Sequence, residues 1–250
     1  VDYVTALGDD ALVLAQRLGE WLTRAPELEE DVALANLGLD LLGQARSLLE
    51  LAGRLEGAGR DADDLAYLRD TRAYRNVTLV ELDNGDFAAS MARLLVFATY
   101  QRELYERLSA GSEPTLAAIA AKAVKEVDYH RDHATEWVLR LGDGTAESHR
   151  RMQAGLEHVW PYVEELFTGT DRYGSWPHPR VVAAGQAVDP ALLREPALSY
   201  VGAVIERATL TVPAPTRRVT GGRHGIHTDA LGLLLAELQH VHRAYPGGRW

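Results

Sequence analysis

The sequence predicts an all-α fold: a ferritin-like four-helix bundle with a long crossover between its second and third helices, and additional C-terminal helices packed on it. Three observations lead there. Apolar residues recur at helical spacing nearly throughout. Long helices come in two pairs, each joined by a short turn. Residues 57–85 separate the pairs, where a simple up-down bundle would have a short loop. One domain is expected over residues 1–250, with the core bundle over about 9–142 and the further helices over about 145–250.

The first helix is expected from about Asp10 to Thr23, with Leu14, Leu18, Trp21 and Leu22 on one side. Pro26 separates it from a second helix, about Glu29 to Leu55, whose first turn carries Glu29, Glu30 and Asp31 to suit the helix dipole. This second helix is apolar almost all round, the mark of a central element. Contact with both its own bundle and a neighbouring chain would account for that. The crossover holds a short helical piece (DADDLAYLRD) and a turn at Asp83-Asn84-Gly85. Asp86 caps a third helix that runs to about Ser109, and Pro114 opens a fourth that ends at Gly142. Beyond it come a helix from Thr145 to Phe167, a Gly/Pro-rich loop (TGTDRYGSWPHPR), and a helix near 190–209. A second loop (TVPAPTRRVTGGRHG) leads to a last helix capped at Thr228.

Composition narrows the function classes. The chain has no cysteine, which excludes disulfides, zinc–cysteine sites and cysteine-ligated iron–sulfur clusters. Its net charge of −10 argues against nucleic acid or an anionic membrane as partner. No stretch approaches the roughly 18 apolar residues of a membrane span. The N-terminal VDYVTALGDDALVLAQ has neither the basic flank nor the apolar core of a signal peptide, so a soluble, cytoplasmic protein is expected. Only two of the 26 basic residues are lysines, Lys122 and Lys125, and they stand almost side by side.

Polar residues interrupt two of the apolar helices. Asn36, Asp40 and Gln44, spaced by four, form a stripe on the second helix, while Glu126, His130 and His133 fall into the apolar seam of the fourth. Burying such groups without partners costs several kcal/mol each. Ferritin-like proteins build carboxylate-bridged di-iron centres at this place. Such a site takes one Glu from each of two helices and a Glu-x-x-His pair from each of the other two. The pattern fails here. Three residues after Asp40 stands Gly43, three after Glu126 stands Tyr129, and the centre of the third helix (Arg93 to Tyr100) offers no carboxylate. No metal ligands and no catalytic residues are therefore assigned. Lys122, one turn before Glu126, has two readings. It sits in a buried network with Glu126 and Asp40, near Asn36, Gln44 and His130, taking the electrostatic place of a metal; or it forms a solvated i, i+4 pair with Glu126.

Several stretches carry a resemblance: LGDDALVLAQRLGEW, APELEEDVALANLGLDLLGQAR, NGDFA, LAAIAAKAVKE with Tyr129-His130 just after, RLGDGTAESHRRMQ, HTDALGLLLAELQ, RAYPG and the terminal Trp250. In order and over nearly the whole chain, they resemble the C subunits of bacterial phenylacetyl-CoA epoxidases, multicomponent monooxygenases also called ring-1,2-phenylacetyl-CoA oxygenases. The resemblance implies a non-catalytic, structural, ferritin-like subunit paired with a related catalytic A subunit. The A subunit would hold the di-iron centre and the phenylacetyl-CoA. A small B subunit and a reductase carrying FAD and an iron–sulfur cluster, fed by NADPH, would complete the system. No cofactor is expected on this chain.

Of the remaining candidates, Arg217, Arg218 and Arg223, with His224, form a basic loop that would suit a CoA phosphate or an acidic partner surface, or would simply be solvated. Trp176 and His178 in SWPHPR would suit an interface loop or an ordinary turn. His149, His158, His227, His240 and His242 are scattered over separate helices and caps. No phosphate loop, Gly-x-Ser-x-Gly elbow or His-Glu-x-x-His is present. Three readings follow. The leading one is a scaffold subunit that stabilises a di-iron partner and self-associates when alone. The second is a di-iron oxygenase in its own right, using Asp40, Glu126 and His130. The third is a homodimeric helical protein with a small-molecule cavity.

Overall fold

A computed structural model of the chain describes residues 1–214 and 218–248. The fold is all-α and ferritin-like, and the helices fall into two compact units, Val1–Asp83 with Gly221–Trp250, and Asn84–Thr220. No helix among the described residues is long and apolar enough to cross a membrane.

In the first unit α1 (Asp2–Gly19) and α2 (Leu28–Glu56) form an antiparallel hairpin. Here α1 begins eight residues before the expected Asp10 and stops before Thr23. The Gly8-Asp9-Asp10 sequence reads locally as a helix start, yet all three residues are buried in mid-helix. A Cβ at Gly8 would lie 2.8 Å from Leu49 Cδ2, so the glycine lets α1 approach α2 closely. The chain leaves α1 through a turn at Thr23, whose φ of 67° is held by its amide donating to Asp31 Oδ1 at 2.7 Å. Gly57 ends α2 with φ 70°, its N–H donating to the Gly53 carbonyl, the left-handed cap that glycine adopts without penalty.

The crossover contains α3 (Ala62–Tyr67), opened by a reciprocal capping box between Asp61 and Asp64, a 3-10 turn at Thr71–Ala73, and α4 (Thr78–Glu81).

The second unit opens with α5 (Phe87–Leu108) and α6 (Pro114–Gly142), packed as a second hairpin. Asp86 caps α5 by accepting from the Ala89 amide at 2.9 Å, as the sequence suggests. Glu113 caps α6, with Pro114 in its first turn. A capping box of Thr145 and Ser148 then opens α7 (Ala146–Val159). The single helix expected to Phe167 is instead α7 followed by two 3-10 turns, because Pro161 has no N–H to continue the ladder. The Gly/Pro-rich loop contains an antiparallel two-residue hairpin, Thr170–Asp171 with Gly174–Ser175, and leads through α8 (Pro179–Ala183) to α9 (Ala191–Arg207). The last helix, α10 (Asp229–Ala244), belongs to the first unit, where it packs on α3 and α4.

Candidate functional site

The stripe Asn36, Asp40 and Gln44 and the line Lys122, Glu126 and His130 lie in different units, and the helical twist treats them alike, while His133, the remaining seam residue read on α6, is half-buried. On α2, Asn36 is exposed, Asp40 half-buried and Gln44 buried. On α6, the Lys122 side chain is 78% exposed, that of Glu126 20%, and His130 is fully buried. Four residues turn a helix by about 400°, so a line of residues spaced by four drifts about 40° round the helix at each step. Each triad therefore starts in solvent and ends in the core. The expectation of a buried Lys122–Glu126–Asp40 network with Asn36 beside it is corrected at its two outer members. Lys122 forms the solvated i, i+4 pair with Glu126, at 3.4 Å. Gln44 and His130 lie among the buried apolar residues, Leu34, Leu37, Leu41, Leu48 and Leu51 on α2 and Leu116, Ala120, Ala123, Val127, Ala134 and Val138 on α6, with Glu30 and Thr135 as further buried polar residues of the two helices.

The residues present do not fit a di-iron group. Gly43, three residues after Asp40, has no side chain, and Tyr129, three after Glu126, points to solvent at 54% exposure. The inner carboxylate of α5 is Glu103, and it is already engaged by Arg102 at 3.0 Å and Arg107 at 2.8 Å. Burial pushes the Glu103 carboxyl up, but the two guanidinium groups outweigh it and hold it below the ordinary glutamate range. Among the described residues no group of three or more histidines, aspartates and glutamates is arranged to hold a metal ion.

A second constellation, in the first unit, was not legible in the sequence. Asp9 and Asp10, adjacent in mid-α1, are each gripped by a distant arginine. Arg69 donates to both oxygens of Asp9, through Nη1 at 3.0 Å and through Nη2, and stacks over Tyr74 at 4.3 Å. Arg223 donates to both oxygens of Asp10, at 2.9 and 2.7 Å, and also to the carbonyls of Ala6 and Arg75. Backbone amides complete both carboxylates, Arg75 N to Asp9 and Val77 N to Asp10, each at 2.8 Å. Burial pushes the Asp10 carboxyl up to about 6, against the pull of Arg223 and the Val77 amide. Arg223 is therefore not a CoA or partner contact: it is 7% exposed and committed to Asp10. Of the same loop, Arg218 is exposed, and Arg217 lies outside the described residues.

A third group sits alongside. Glu81, fully buried, accepts from Asn76 Nδ2 at 2.8 Å and from the Thr228 amide at 2.6 Å, and faces His227 Nδ1 at 2.7 Å. His227 Nε2 lies 3.1 Å from the Tyr74 carbonyl, which can only accept. His227 thus bridges the Glu81 carboxyl group and the Tyr74 carbonyl. Arg17 joins by donating to the Glu81 carbonyl at 2.8 Å and to Ala230 O at 3.2 Å. From α10, Gln239 donates to the carbonyls of Ala66 and Arg69, each at 3.0 Å. These contacts tie α1, the crossover and the C-terminal segment into one polar lattice, and their chemistry is that of a clamp. His178, in the other unit, caps α8 through its ring nitrogen, an ordinary turn role.

Comparison with known proteins gives two results. The family described as phenylacetic acid catabolic protein matches residues 1–250. The chain is also 46% identical over 248 residues to the C subunit of the 1,2-phenylacetyl-CoA epoxidase of Escherichia coli (strain K12), covering 99% of this chain and 98% of that relative.

Proposed function

Because the chain belongs to the phenylacetic acid catabolic protein family, we propose that it is the C-type subunit of a multisubunit phenylacetyl-CoA epoxidase, and that its role there is structural. The observation that carries the reading is 46% identity over 99% of the chain to a protein named as that subunit. The ligand positions support the second part. Gly43, solvent-facing Tyr129 and an α5 carboxylate engaged by two arginines remove the companion ligands that a di-iron group needs beside Asp40, Glu126 and His130. In this reading the catalytic A subunit holds the di-iron centre and the substrate, a B subunit joins the assembly, and a reductase carrying FAD and an iron–sulfur cluster takes electrons from NADPH. The present chain holds and stabilises the A subunit.

Anaerobic loading of the purified chain with ferrous iron, followed by removal of excess metal, tests the assignment. Bound iron near zero is the expected result, together with recovery of epoxidase activity only when a catalytic subunit is added. About two irons per chain would favour an oxygenase built on Asp40, Glu126 and His130. Reconstituted epoxidase activity that does not require this chain would remove the proposed role altogether.

A further inference from the structure

We propose that Asn84 is a self-modification site, where the fold promotes loss of the side-chain amide and leaves an aspartate facing the buried guanidinium of Arg93. Deamidation begins when the backbone nitrogen of the next residue attacks the asparagine Cγ, so that nitrogen must be free to move. The sequence holds three asparagines, Asn36, Asn76 and Asn84, and the fold treats them differently. Asn36 lies within α2, where the Leu37 N–H belongs to the helical hydrogen-bond ladder. Asn76 is fully buried, and the Val77 N–H after it donates to Asp10 Oδ1 at 2.8 Å. Asn84, half-buried, is followed by Gly85, which is exposed, sits at φ 61° and has no Cβ to crowd the attack. Among the described residues none accepts a hydrogen bond from the Gly85 N–H.

The electrophile is prepared as well. Arg93 on α5, 2% exposed, donates through Nη2 to Asn84 Oδ1. Attack at Cγ builds negative charge on that oxygen, and a guanidinium already in place stabilises it. The bond from Gly85 N to Cγ forms, the Cγ–Nδ2 bond breaks, and Nδ2 leaves as ammonia with the proton that Gly85 N gives up. Water then opens the cyclic imide. Addition at Cγ restores the normal backbone and yields aspartate, while addition at the main-chain carbonyl yields isoaspartate. Arg93 polarises the first carbonyl. The second accepts from the neutral Ser90 hydroxyl at 3.0 Å, a weaker pull than that of a charged donor. Aspartate is therefore the main product here, although flexible chains give mostly isoaspartate. Its carboxylate meets Arg93 in a charge-assisted hydrogen bond. It also stands just before the N-terminus of α5, where the helix dipole favours negative charge.

Peptide mapping by mass spectrometry tests the site, on the purified chain aged in warm, mildly alkaline buffer and on the same chain aged in concentrated guanidinium chloride. Labelling by an isoaspartyl methyltransferase separates the two products. The expected result is conversion at position 84 with Asn36 and Asn76 intact in the folded chain, at a rate no lower than in denaturant. Aspartate should dominate in the folded chain and isoaspartate in the unfolded one. Asn84→Asp, made directly, should melt about 2–4 °C above the parent, the shift that about 1 kcal/mol gives a chain of this size. An Asn84 that survives longer folded than unfolded overturns the proposal, because the fold then protects the amide. A folded product that is mainly isoaspartate, or an Asn84→Asp chain that melts no higher than the parent, overturns it as well.

Discussion

Asp10 and Arg223 stand 213 positions apart in the chain and meet in a two-pronged ion pair, Oδ1 to Nη1 at 2.9 Å and Oδ2 to Nη2 at 2.7 Å, with both side chains buried. Arg223→Ala would leave the carboxylate in the core without its partner. The expected loss is about 3–5 kcal/mol of unfolding free energy in a denaturant titration. The double substitution Asp10→Leu with Arg223→Met should recover a large part of it, since an apolar pair strands no charge. A double variant as unstable as the single one would show that the pair acts through more than mutual neutralisation.

The same carboxyl sets a pH dependence. Its folded pKa of about 6 lies above the ordinary 3.8 because burial outweighs the pull of Arg223. Between those values the folded chain keeps a proton that the unfolded chain has released. The stability this group contributes is complete below the lower value and is lost as pH rises through the upper one. Asp10→Asn removes that slope. The advantage of the parent chain over the variant should therefore be larger near pH 4 than near pH 7, by about 2 kcal/mol. An equal gap at both pH values would contradict the assignment.

Glu81 accepts from Asn76 and from the Thr228 amide and faces His227, so it joins the crossover to the start of α10. Glu81→Ala should loosen the C-terminal segment selectively. Hydrogen exchange ought to show amides over 221–244 losing protection by about tenfold or more, as expected when a buried hydrogen-bond acceptor is removed. Amides of α5 and α6 serve as the internal control. Uniform loss across the chain would mean global destabilisation and not a released clamp.

At Lys122 the prediction is a near-absence of effect. Its side chain is 78% exposed and its pair with Glu126 is a surface i, i+4 pair, worth at most about 0.5 kcal/mol. Lys122→Met should move the denaturation midpoint only marginally. A loss of several kcal/mol would restore the buried network.

Gly43→Ala should stabilise the isolated fold by up to about 1 kcal/mol, because the helix gains and no neighbour is displaced. Denaturant unfolding of the chain is the appropriate measurement. Destabilisation there would mean that the open space at Gly43 is needed by the chain itself.

Local signals wrote much of this fold. Pro114 and Asp86 mark helix starts, Gly57 and Gly142 mark ends, and α2, α5 and α6 run within a residue or two of where their apolar spacing places them. Gly43 and Tyr129, at the i+3 positions after Asp40 and Glu126, are likewise read directly from the sequence. The direction of each stripe was harder to judge. Residues spaced by four look like one face when written in a line, yet the twist carries them from solvent at Asn36 and Lys122 to the core at Gln44 and His130.

The start of α1 was hidden for a different reason. Asp9-Asp10 after a glycine is good N-cap chemistry, and no local rule distinguishes a cap from a buried acidic pair. What separates them is the arrival of Arg69 from the crossover and Arg223 from near the C-terminus, at separations of 60 and 213 residues. The same long-range pairing turned Arg223 from an apparent surface cation into a core residue, and drew His227 and Glu81 together from 146 positions apart. Helix positions, the absence of cysteine chemistry and the residue types at the i+3 positions followed from composition and short-range patterns along the chain. Which charges are buried, and with whom, depended on contacts between segments far apart in sequence. Desolvating a carboxylate is tolerable only where a partner is delivered to it, and that delivery is a property of the assembled fold.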